Sequence, residues 1–125
     1  MQNAASAYAR VAQATQSPRE LEAAILMKAA TRLQSIRDNW DLKRHELDEA
    51  LTYNRKLWTI LVSSATEAAN PLPVPIKQNV ANLGIFVFNH TVTMMSEPKP
   101  ERLGVLITIN RELAAGLRSA PAAAA

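Results

Sequence analysis

Apolar residues recur at steps of three and four along most of this chain, and prolines cut that pattern into segments. The clearest segment is LDEALTYNRKLWTILVSSA, residues 47–65. Leu47, Leu51, Asn54, Trp58, Leu61 and Ala65 fall on one side of an α-helix. Ala50, Tyr53, Leu57, Ile60 and Ser64 form a second stripe beside the first. Two adjacent stripes make a face too wide for a two-stranded coiled coil, so this helix should pack against several neighbours. Asn54 lies inside the broad stripe, one turn before Trp58. A buried amide left without partners costs about 1–3 kcal/mol per group. Asn54 is therefore expected to cross-link helices or to meet a partner protein.

The other segments follow the same logic. Residues 2–14 are alanine-rich, with Ala4, Tyr8 and Val11 (or Ala5, Tyr8 and Ala12) on one helical face. So short a helix is marginal alone and must dock on its own domain or on a partner. Ser17-Pro18-Arg19-Glu20 carries a capping box with proline at the first helical position. From there a helix to about residue 39 presents Leu21, Ile25, Ala29, Leu33, Ile36 and Trp40, with Asp41 expected to cap the next. Asn70-Pro71-Leu72-Pro73-Val74-Pro75 must break the chain, since prolines lack amide donors and restrict their predecessors. Residues 76–95 combine a 3–4 step (Ile76, Val80, Leu83, Val87, His90, Met94) with β-prone runs at 84–88 and 91–93. The step persists throughout, which predicts helix. Asn79 and Asn82 should bond to facing helices, and His90 should be a hydrogen-bonded core residue. After Glu97-Pro98-Lys99-Pro100, a last helix has Leu103, Leu106, Ile107, Asn110, Leu113 and Leu117 inside, with Gly116 placed to end it. Residues 118–125 read as a disordered or foreign alanine-rich tail. The expectation is an all-α, single-domain bundle of about five helices over residues 1–117, with residues 1–14 a detachable first helix.

Composition limits what such a bundle does. At 125 residues and 48% hydrophobic, the chain can bury a core without staples. It has no cysteine, hence no disulfide and no thiolate metal site, which suits a reducing cytoplasm. MQNAASAYAR lacks the pattern of a signal peptide, and no run of about 18 apolar residues suggests a membrane span. The net charge is +3, but acids and bases are interleaved along the helices, so the excess reads as solvated faces. No glycine-rich phosphate loop and no nucleophile elbow is present. His45 and Glu49 stand four apart, too few ligands for a metal. No catalytic residue, cofactor or metal is expected, and the protein is read as a binder, not an enzyme.

Three stretches in order resemble the FlaF family of flagellar biosynthesis proteins. The first is Leu47-Asp48-Glu49-Ala50-Leu51, Tyr53-Asn54 and Leu57-Trp58-Thr59. The second is Asn70-Pro71-Leu72-Pro73 with Ile76, Asn79, Asn82-Leu83 and Phe86-Val87. The third is Ile109-Asn110-Arg111 with Ala114-Ala115-Gly116-Leu117. The resemblance implies a cytoplasmic, ATP-independent flagellin chaperone or regulator that supports flagellin synthesis and export, often opposite an FlbT-like partner. A helix-in-groove contact would shield a terminal helix of flagellin. Candidate partner-binding residues are Tyr53, Asn54, Leu57, Trp58, Phe86, Phe88 and Met94. The alternative is post-transcriptional control of flagellin mRNA, directly or through an FlbT-like partner. Against direct contact stand the 5% aromatic content and the absence of any recognisable RNA-binding motif. A purely structural adaptor or a homodimer is the third reading.

Overall fold

The structure, a computed structural model, describes residues 17–119. Four long helices hold most of them: α1 Pro18–Asp38, α2 Leu47–Ala65, α3 Val74–Ser96 and α4 Leu103–Ser119. Among the described residues there is no strand, and the expected all-α class stands. The count is four long helices, because the helix expected at residues 2–14 lies outside the described residues.

Local chemistry sets the boundaries. Ser17 is extended, its hydroxyl accepts from the Glu20 N–H at 3.5 Å, and Pro18 follows, as the capping signal predicts. The expected cap at Asp41 is corrected. After Asn39 the chain makes one helical turn, Trp40–Lys43, and a 3-10 turn, Arg44–Glu46, and Asp41 sits inside the first. Asp48 and Glu49 then occupy the first turn of α2, where the helix dipole favours carboxylates. Between α2 and α3, the Asn70 side chain donates to Ser64 Oγ (3.1 Å) and accepts from the Leu72 N–H (2.9 Å), which fixes the turn and buries Leu72. Pro73 precedes α3 and Pro75 lies in its first turn. The β-prone runs of α3 are helical because no strand is available among the described residues to pair with them, while Val80, Val87 and Met94 gain a core. Gly116 does not end α4, which continues through it to Ser119. Residues 118 and 119 are thus helical, and the rest of the expected tail lies outside the described residues.

The helices run up and down around one core. α1 packs along α4 and on α2, α2 along α3, and α3 closes on α4. Small residues allow the close approaches. Ala23, Ala29 and Ala30 of α1 and Ala114 of α4 are buried, and Gly84 of α3 sits against Val62 of α2. At the centre the diagonal helices α2 and α4 are joined by polar groups. Trp58 Nε1 donates to Asn110 Oδ1 (2.9 Å), and Asn110 Nδ2 donates to Asn54 Oδ1 (2.7 Å). The expected helix cross-link at Asn54 is therefore present. Asn79 and Asn82, expected to bond across the core, are exposed instead.

Candidate partner-binding surfaces

A groove follows the seam between α1 and α2 on the side away from α3. Its more apolar end is lined by Pro18, Leu21, Ile25, Leu57, Ile60 and Leu61, together with Glu22, Tyr53 and Lys56, and has a volume of about 360 Å³. Its charged end, about 770 Å³, is lined by Lys28, Arg32, Lys43, Glu46 and Glu49 among others. Tyr53 borders both and joins them. From Pro18 to Ile36 the groove follows α1 for about 27 Å, at about 1.5 Å of rise per residue.

The two ends differ in electrostatics. At the charged end Arg32 pairs with Glu49 (3.4 Å), and Lys43 Nζ donates to Ser35 Oγ (2.7 Å). Both contacts are partly solvated and worth little individually. At the apolar end Glu22 is the acid among the lining residues, and burial pushes its carboxyl above the ordinary range. Ile60 nonetheless remains 66% exposed, an aliphatic side chain with half a pocket and no cover.

A second surface is the outer side of α3. Ile85, Phe86 and Val92 are exposed there among Asn82, Asn89 and Thr93. Lys77 is the only Lys, Arg, Asp or Glu on the whole helix. Phe86 stacks on His90, with ring centroids 5.3 Å apart and planes 15° apart. His90 Nε2 donates to the Arg102 carbonyl (2.7 Å), since that oxygen can only accept. His90 is hydrogen-bonded as expected but half-buried, at the rim of the core.

The seven candidate residues do not converge. Tyr53 and Leu57 line the apolar groove. Phe86 lies on the other surface. Asn54, Trp58 and Met94 are fully buried in the core and have no surface to offer a partner in this fold. Phe88 is half-buried and packs against the core beside Gly84. The groove also uses residues that the sequence reading assigned to the core or left out. Leu21 and Ile25 were expected inside. Their four-residue steps to Ala29 and Leu33 each turn about 40° past a full 360°, since four residues span about 400°. Two or three such steps carry Ile25 and Leu21 to the edge of the core, where both are half-buried on the groove wall and Ile25 still packs against the core. The core stripe of α1 is Ala23, Leu26, Ala30 and Leu33, with Ala29 and Ile36 also buried as expected. For Ile60, the signal was available: it lies one residue before Leu61, on the flanking stripe with Tyr53.

Among the described residues no group of three His, Cys, Asp or Glu is arranged to hold a metal ion. Among them, too, no helix is long and apolar enough to cross a membrane. The profile of the family described as flagellar protein FlaF matches residues 4–117. No curated protein and no solved structure matches the chain.

Proposed function

The chain belongs to the FlaF family of flagellar proteins, and from that premise we propose that it is a flagellin-binding secretion chaperone or regulator whose α1–α2 groove takes a terminal helix of flagellin. The observation that carries the reading is the groove itself. A length of about 27 Å matches roughly 18 residues of helix at about 1.5 Å each. The apolar end offers Leu21, Ile25, Leu57 and Ile60 to anchors spaced three and four apart, and the charged end fixes polarity and register. The work is binding, in the cytoplasm and without nucleotide, and no residue has a catalytic role.

Magnitudes set the expected affinity. Burying three or four aliphatic anchors yields about 1.5–3 kcal/mol each. Ordering a disordered client and losing rigid-body freedom offset part of that. The gross gain is about 5–12 kcal/mol, so after these offsets the expected affinity is micromolar at best, about −8 kcal/mol. Isothermal titration against full-length flagellin, and against flagellin lacking either terminus, tests this. Binding in that range that vanishes with one terminus is the expected result. No heat from any form, with the protein folded, would overturn direct flagellin binding and move the role to an FlbT-like partner or to flagellin mRNA.

A further inference from the structure

We infer that Glu22 is the specificity-determining acid of the α1–α2 groove, and that it takes a lysine or arginine carried beside the apolar stripe of the client helix. This role rests on the flagellin reading above and narrows the client to a helix with a cation at that place.

Nothing in the fold itself accounts for an acid at residue 22. Glu20 is the acid of the capping signal and the one in the first turn of α1. Glu22 lies beyond that turn, where the benefit of the helix dipole has faded. Among the described residues its carboxyl accepts no hydrogen bond and joins no ion pair. Burial alone raises its pKa, so neither a neighbouring charge nor a donor offsets the desolvation. Lys56 lines the same hollow from the α2 wall, yet it is exposed and does not pair with Glu22. The free protein thus keeps a half-buried, uncompensated carboxyl in the more apolar part of its groove. Such a group is a cost while it stands alone and a strong acceptor once a cation reaches it.

Its position sets what kind of partner can reach it. Glu22 directly follows Leu21 and precedes Ile25 by three residues, and all three line the hollow. A client helix whose anchors rest on Leu21, Ile25, Leu57 and Ile60 therefore brings the flank of its own apolar stripe over Glu22. A Lys or Arg on that flank lays its aliphatic stem along Leu21 and Ile25 and carries its charged head to the carboxylate. A neutral apolar residue there would bury Glu22 further and give it no donor. An acid would add like-charge repulsion. Glu22 hence selects by penalty as well as by attraction. Lys56 offers no matching selection, because a client acid facing an exposed lysine makes a solvated pair of little worth.

Glu22→Gln keeps the size and the hydrogen-bonding capacity and removes the charge. It also removes a carboxyl that burial disfavours, so the variant should fold at least as well as the parent protein. Isothermal titration with full-length flagellin compares the parent, Glu22→Gln and Lys56→Gln. The expected result is binding about tenfold to hundredfold weaker for Glu22→Gln and within about twofold of the parent for Lys56→Gln. Each Lys and Arg in the flagellin terminus that binding requires is then changed to Gln, one at a time. One of these flagellins should bind the parent at least about tenfold more weakly, yet bind Glu22→Gln no worse than unaltered flagellin does. A merely structural role for Glu22 would leave the effects additive for every cation. Additive effects throughout, or equal binding of flagellin by the parent and Glu22→Gln, overturn the role of Glu22 and leave the groove reading standing. Flagellin that does not bind the folded parent sinks the functional reading and the role of Glu22 with it.

Discussion

Asn110 has two partners at the centre of the bundle: its Oδ1 accepts from Trp58 and its Nδ2 donates to Asn54. Asn54 Nδ2, in contrast, is buried without a hydrogen-bond partner. The two asparagines are therefore unequal. Asn110→Leu strands the indole N–H and Asn54 Oδ1, at about 1–3 kcal/mol for each. Asn54→Leu strands Asn110 Nδ2 but removes the amide that was already unpaired, so its net cost should stay within about 1 kcal/mol beyond repacking. Urea unfolding should rank Asn110→Leu as clearly the worse; equal losses would mean that the network is not what orders this layer. Glu22 poses a different residue-scale problem. Its carboxyl is raised by burial, so ionisation is disfavoured in the folded state. The sign follows: its relative contribution is greatest below the unfolded pKa and is lost as pH rises through the higher folded pKa. Glu22→Gln should hence match the parent protein near pH 4 and exceed it in urea midpoint at pH 7. A constant offset across that range would remove the titration from the explanation.

Gly84 decides how closely α2 and α3 pack. A Cβ there would run into Val62 Cγ2, with the Trp58 and Phe88 rings at 3.8 Å. Valine is β-branched and held to one χ1 well in a helix, so it cannot swing aside. Two effects oppose each other in Gly84→Ala. Helix propensity gains about 1 kcal/mol, while overpacking costs about 1–3 kcal/mol. Overpacking should win and lower the melting temperature, and Val62→Ala in the same chain should recover part of the loss. A Gly84→Ala variant more stable than its parent would show that the helices can separate freely. At this scale the sequence was most legible. The stripe Leu47, Leu51, Asn54, Trp58, Leu61, Ala65 is wholly buried, as its 3–4 step dictates. The inner side of α4 is likewise the expected one. Legibility failed where local pattern carries no partner information. Asn79 and Asn82 look like inward amides in sequence, yet which side of α3 faces α4 depends on the whole bundle. Asp41 looks like a cap, but the chain there continues helical after Asn39. The groove was not legible because it is made by two helices far apart in sequence, and an off-stripe residue such as Ile60 acquires its meaning only from its neighbour on α1.

On the scale of the whole molecule, two of the exposed isoleucines lie on different surfaces of the bundle. Ile60 stands over the α1–α2 groove, and Ile85 stands on the outer face of α3. The two are near-ideal counterparts for a comparison. They are the same residue type, at 66% and 62% exposure, each in the middle of a long helix. Aspartate at either place should leave the fold intact, since neither side chain contributes much to the core. A client helix seated in the groove buries Ile60 and loses about 1.5–3 kcal/mol when that contact becomes a carboxylate. That is about a tenfold to hundredfold loss of affinity. Ile60→Asp should therefore weaken flagellin binding by at least about tenfold while Ile85→Asp leaves it within about twofold. The two variants should melt alike, so that a difference in binding cannot be laid to folding. The reverse ranking would place the client on the outer face of α3 and not in the groove. Equal losses would require a client that wraps around α2 from one surface to the other, a contact far larger than a single helix makes.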